Sequence, residues 1–145
     1  MSVFLLDVNM LLALCDPRHL HHDAAHGWFH ATGRLGWATC TISENGFIRI
    51  ASNPAYPNSP GSPPVVGEIL RTFCKSAAHR FWPDSISFMD ASLFRPDVLI
   101  SHAQIADLYL LGLAVKNGGK LATFDGHIPH TAVHGGGGAL HAISA

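Results

Sequence analysis

A chain of 145 residues is one ordinary domain long, enough to bury roughly 70% of its unfolded surface. With 48% hydrophobic and 13% charged residues it is no disordered chain, and no apolar run reaches the roughly 18 residues of a membrane span. A formal net charge of −1 provides no global basic field for nucleic acid, and no basic segment precedes Val3–Leu6, so a cytoplasmic protein without a signal peptide is expected.

Val3-Phe4-Leu5-Leu6-Asp7 is an apolar run that ends on a carboxylate, the pattern of a buried strand delivering an acid at its carboxyl end. Met10–Cys15 continues as a short helix that Asp16-Pro17 stops. Leu20, Ala24, Ala25, Trp28 and Phe29 recur at helical spacing across His19–Ala31, with Gly33 as C-cap. Leu35–Cys40 reads as a second buried strand, and Thr41 or Ser43 as the cap of a helix over Ile42–Ala51, which Gly46 weakens. Asn53–Pro64 concentrates prolines and small polar residues and is a loop, long enough to be mobile or to bind something. Pro64 opens a helix to about Ala78 with Val65, Val66, Ile69, Leu70 and Phe73 inward. His79–Pro83 is a short strand, and Asp84–Pro96 is irregular. Ser101–Asn117 is the clearest helix, with Ile105, Leu108, Leu111, Leu113 and Val115 on its core side and Asn117-Gly118-Gly119 at its end. Lys120–Phe124 is a strand ending on Asp125, and Gly135–Gly138 is a flexible turn before a last strand near Ala139–Ile143. Strands alternate with helices throughout, without a repeat. The fold class is α/β, a three-layer α/β/α sandwich with a mostly parallel sheet, and residues 1–145 form one domain.

Asp7 and Asp125 directly follow strands, Glu44 lies in the first turn of the helix after the second strand, and Asp107 lies early in the long helix. A parallel sheet puts all four at one rim, the end where ligands bind. Carboxylates about 5 Å apart repel by roughly 3 kcal/mol per pair at an effective dielectric near 20, so such a cluster protonates, leans on helix N-termini or binds a cation. Oxygen ligands without His or Cys suit Mg²⁺ or Mn²⁺ better than zinc, and such ions activate water and steady a phosphodiester under attack. Asn9 and Thr123 are uncharged polar neighbours able to orient a carboxylate or bound water.

Leu5-Leu6-Asp7-Val8-Asn9-Met10-Leu11-Leu12 resembles the opening of PIN domains, and Thr41–Arg49 resembles the second-acid helix of their VapC branch. Gln104–Leu111 and Leu121–Asp125 resemble the third and fourth motifs, in order and over nearly the whole chain. The resemblance implies a PIN-like fold and a Mg²⁺- or Mn²⁺-dependent endoribonuclease, the toxin of a VapBC-type pair, homodimeric and neutralised by a VapB-like antitoxin. It assigns the acidic site to Asp7, Glu44, Asp107 and Asp125, with Asp7 and Asp107 the principal metal ligands. Phosphate contacts would fall among Arg49, Arg71, Lys75, Arg80, Arg95, Lys116 and Lys120.

Other readings stay open on the residues alone. A phosphatase or a DNA-directed nuclease could use the same acidic rim, and a non-catalytic binding module could keep the fold. His22, His26 and His30 recur every helical turn beside Asp23; without a signalled third ligand they read as a solvated face, not a zinc site. Trp28-Phe29 and Phe81-Trp82 read as core, and the three cysteines, lacking any CxxC spacing, as reduced small hydrophobes.

Overall fold

The computed structural model describes residues 2–145. Five parallel strands form one sheet: β1 (Phe4–Leu6), β2 (Trp37–Cys40), β3 (His79–Trp82), β4 (Lys120–Thr123) and β5 (Leu140–Ala142), in the spatial order β3-β2-β1-β4-β5. The helices are α1 (Val8–Cys15), α2 (His22–Ala31), α3 (Thr41–Ala51), α4 (Pro63–Phe73), α5 (Ile105–Lys116) and the single turn α6 (Gly136–Ala139). The expected sandwich is therefore present, and its sheet is wholly parallel among the described residues.

The sheet divides the apolar interior into two layers. Leu5, Ala38, Cys40 and Leu121 face α5, where Leu108, Leu111 and Ala114 are fully buried. Phe4, Leu6, Trp37 and Ala122 face α1, α3 and α4. The central strands β1, β2 and β4 are buried on both faces, which is why they read as continuous apolar runs, whereas the edge strands β3 and β5 are partly exposed.

The strand order reverses direction once. From β1 the chain steps outward to β2 and β3, then returns through α5 to the other side of β1 as β4. A crevice opens where two neighbouring strands send their connections to opposite sides, here between the carboxyl ends of β1 and β4.

Several boundaries differ from the sequence reading. Helix α2 starts at His22, because His19–His21 is a turn, and Leu20 is 89% exposed instead of lying on a helical face. Gly33 opens a 3₁₀ turn through Leu35, so β2 begins only at Trp37; a Cβ at Gly33 would stand 2.6 Å from the Trp28 ring. Helix α4 begins at Pro63 and stops at Phe73, five residues early, and Val65 points outward at 46% exposure. Residues His102–Gln104 form a 3₁₀ turn capped by Ser101, which rotates Ile105 out to 40% exposure. Phe81 is 49% exposed while Trp82 is buried, the alternation of an edge strand, so only one of that pair is core.

Two expected loops are ordered. The proline-rich segment is pinned by Asp16, which accepts from the Tyr56 hydroxyl at 2.5 Å and the Asn58 amide at 3.0 Å. Gly135–Gly138 is no flexible turn: Gly135 adopts φ +79° and starts α6, where a Cβ on Gly136 would lie 2.4 Å from the His130 carbonyl oxygen. Glycine there permits close packing under α5.

Candidate active site

Asp7 is the residue that joins strand to helix without a loop. It ends β1 and is the N-cap of α1, accepting the Met10 N–H at 2.7 Å. Register fixes its neighbour: Leu6 pairs with Ala122, so the next residues, Asp7 and Thr123, lie side by side across the β1–β4 seam. The buried Thr123 hydroxyl hydrogen-bonds to Asp7 and accepts the Asp125 N–H at 3.0 Å, tying the two acids together. Asp107 reaches the same crevice from the first turn of α5.

The three carboxylates are near enough to feel one another's charge. Burial pushes the Asp7 carboxyl up to about 6, the hydrogen bonds from Thr123 and Met10 pull it back, and the charges of Asp107 and Asp125 raise it further. Half-burial also raises Asp107, and Asp125 adds to that. Among the described residues none of the three is in an ion pair; the one ion pair present joins Glu68 to Arg71 on the surface of α4. Among the described residues no three His, Cys, Asp or Glu groups stand close enough together to hold a metal ion as they are.

Glu44 stands differently. It occupies the first turn of α3, at the same end of the sheet, but its carboxylate accepts from the Thr39 hydroxyl at 2.6 Å. Thr39 in turn contacts His79 at 2.8 Å. Glu44 is thus oriented toward β2 and β3, where burial holds the His79 imidazole below its ordinary value and Glu44 pulls it back up. It does not figure among the charges felt by Asp7. The structure groups Asp7, Asp107 and Asp125, and sets Glu44 beside them on a separate hydrogen-bond chain.

The helix carrying Glu44 is fixed by two sequence features that single-residue reasoning valued wrongly. Its cap is Cys40, with the buried Ser43 hydroxyl accepting the Cys40 N–H at 2.9 Å, so Ser43 caps from inside the helix. Gly46 is where α3 meets α1: an added Cβ would lie 2.7 Å from a Val8 methyl, next to Asp7. Glycine there lowers helix propensity, yet it permits the approach that brings Glu44 to the rim.

Asn9 is exposed and lines an open cleft beside Asp125 together with His19, His21 and Phe124. These last three were not singled out as site residues. Reading His19–His21 as helix concealed that the two rings are delivered by a turn.

The histidines on α2 have another task. His22 Nδ1 lies 2.7 Å from the Ala13 carbonyl oxygen, and His26 Nε2 lies 3.0 Å from that of Leu14. Both carbonyls belong to the last turn of α1, whose acceptors lack helical partners. The pair caps α1 and is neither a zinc site nor a merely solvated face. Among the cations, Lys116 ends α5 and Lys120 starts β4, at the end of the sheet opposite the acids.

A wholly parallel α/β/α sandwich with acids beyond the carboxyl ends of β1 and β4 is the class of fold that the resemblance to PIN domains implies. No family model matches the chain. Two Mycobacterium tuberculosis proteins align over 131 residues: Ribonuclease VapC44 is 42% identical, covering 90% of this chain and 92% of its own, and Ribonuclease VapC39 is 38% identical, covering 90% and 94%. The chain belongs to the VapC ribonuclease family. Among solved structures, M. tuberculosis VapC20, described as a Sarcin-Ricin loop cleaving toxin, superposes with a TM-score of 0.61 at 13% identity over 91% of this chain and 96% of its own. A VapBC2 structure from Rickettsia felis, bound to a DNA fragment from its promoter, gives 0.60 at 12% identity over 98% and 99%. These two likenesses speak to the fold.

Proposed function

We propose that residues 1–145 act as one metal-dependent endoribonuclease domain, the toxin of a VapBC-type pair, hydrolysing RNA phosphodiester bonds at the β1–β4 crevice. The observation that carries this reading is the buried Asp7 carboxylate, which feels the charges of Asp107 and Asp125 and has no cationic partner among the described residues. A carboxylate so placed gains most from a bound cation, and an all-oxygen donor set fits Mg²⁺ or Mn²⁺. Asp7, Asp107 and Asp125 would hold that ion, with Glu44 completing the acidic site from α3. When bound, such a cation supplies an acidified water and neutralises charge on the scissile phosphate.

The chain's own groups set the conditions for this. Above about pH 6 Asp7 is ionised and able to act as a ligand. Thr123 donates its hydroxyl to Asp7, its oxygen accepts the Asp125 backbone N–H, and the Asp125 carboxylate accepts the His127 N–H at 2.8 Å. Met10 N–H fixes one Asp7 oxygen and leaves the other directed elsewhere. The exposed Asn9 amide is available at the rim to orient substrate or water.

The relatives' names and the VapBC2 complex support a VapB-like antitoxin as partner. A homodimer and a cytoplasmic location belong to the same reading, and among the described residues no helix is long and apolar enough to cross a membrane.

The test is cleavage of a mixed cellular RNA pool by purified protein in Mg²⁺, in Mn²⁺ and in EDTA, with Asp7→Asn alongside. Discrete fragments that need metal and vanish in the variant are expected. Fragments that persist with Asp7→Asn, or cleavage of DNA or phosphate monoesters in place of RNA, would overturn the assignment.

A further inference from the structure

The cleft that leads away from Asp125 is lined by Asn9, His19, His21, Phe124 and Asp125. No Lys or Arg lines it. Away from Asp125 its lining is aromatic and amide, a suitable surface for the uncharged part of a nucleotide whose phosphate lies at the acids. The His21 and Phe124 rings lie 4.7 Å apart at an interplanar angle of 32°. Both are half-buried, so each keeps part of its ring open to the cleft.

Phe124 rests one side of its ring on the core layer under α1 and keeps the rest exposed. His21 is the N-cap residue of α2, but its side chain makes no capping bond. Its backbone does the anchoring: the His21 N–H donates to His19 Nδ1 at 3.0 Å, and its carbonyl accepts from Ala25 N–H at 2.9 Å. Phe124 sits between Thr123, which binds Asp7, and Asp125. The aromatic wall is therefore covalently tied to the acids.

Resting on the ribonuclease reading above, we propose that the Phe124–His21 wall holds by stacking one unpaired base adjacent to the scissile phosphate, making these two residues determinants of substrate binding. Every base offers a π-face, and unpaired bases of single-stranded or loop RNA are free to use it.

The experiment uses single-stranded RNA oligonucleotides spanning a cut that the protein makes in cellular RNA, each with an abasic residue or 2-aminopurine at one position flanking that cut. At one position the abasic residue lowers kcat/KM by roughly 5- to 100-fold, the range of one base–aromatic stack, and the loss lies in KM. Phe124→Leu and His21→Leu show the same loss on intact RNA and no further loss on that abasic RNA, whereas Phe124→Tyr and His21→Phe restore cleavage. Equal losses on intact and abasic RNA, no rescue by the aromatic variants, or an effect confined to antitoxin inhibition would overturn the proposal. Should the parent bind but not cleave, the ribonuclease reading falls separately. In that case 2-aminopurine is placed in turn along a single-stranded RNA that the parent binds; quenching at one position by the parent and not by Phe124→Leu still supports the wall, and absence of quenching at every position refutes it.

Discussion

Replacing Asp7 by Asn makes the protein more stable while it removes activity. The carboxyl is raised from its ordinary 3.8 to about 6 in the folded chain, a difference of about two units. At about 1.4 kcal/mol per unit, its charge costs the fold about 3 kcal/mol once the pH exceeds both values. Asparagine serves as N-cap as well as aspartate, so α1 keeps its first turn. The amide must still be satisfied against Thr123, which leaves a net gain of about 1–3 kcal/mol, or roughly 3–10 °C in Tm for a chain of this size. The sign with pH follows from proton binding. The folded parent holds the Asp7 proton more tightly than the unfolded chain, so its stability falls as pH rises from about 4 to about 6 and is then level. Asp7→Asn lacks this contribution to the slope. Urea denaturation of both proteins in EDTA at about pH 4 and about pH 8 reads this directly: the variant's stability relative to the parent's should rise by about 2–3 kcal/mol between the two. A variant less stable than the parent at about pH 8, or a difference independent of pH, would refute the assignment of Asp7 as a buried, electrostatically strained acid.

Thr123→Val removes the hydroxyl that holds Asp7 and accepts from Asp125 N–H; in EDTA the pH range of falling stability should extend above that of the parent, with an added cost of about 1–3 kcal/mol near neutrality. A pH-stability curve superimposable on the parent's would contradict this. Gly46→Val forces α3 away from Val8; we expect about 1–3 kcal/mol of destabilisation by thermal melting and weaker cleavage even where the protein is folded. Asp16→Ala unties Tyr56 and Asn58, and limited proteolysis should then cut within 53–60, where the parent resists. Because its hydrogen bonds outweigh burial and hold Asp16 below the ordinary carboxylate value, its contribution is present at neutral pH and lost only in acid.

The elements legible in the sequence were those with a one-sided physical cause. Apolar runs ending on Asp7 and Asp125 can be little other than buried strands delivering acids to a rim, and they are that. What escaped was determined by partners distant in the chain. Gly46 and Gly136 look like weaknesses until Val8 and the His130 carbonyl are seen against them. His22 and His26 resemble a metal motif until the open carbonyls of α1 appear beneath them. Glu44 is placed on the right helix by its motif, but its orientation depends on Thr39 and His79, and no local pattern carries that information. Phe81 and Ile105 came out exposed because an edge strand and a 3₁₀ turn change which side faces inward.

The β1–β4 seam has a consequence for how the protein is made. Asp7 is translated more than a hundred residues before Thr123, which holds it, and Asp125. Until β4 slots in beside β1, the first acid has neither its hydrogen-bonding support nor its companions in the crevice. A nascent or prematurely terminated chain ending before residue 120 therefore lacks the site altogether, although it carries Asp7, Glu44 and Asp107. Under the toxin reading, potency waits for β4, whatever else of the site has already been made.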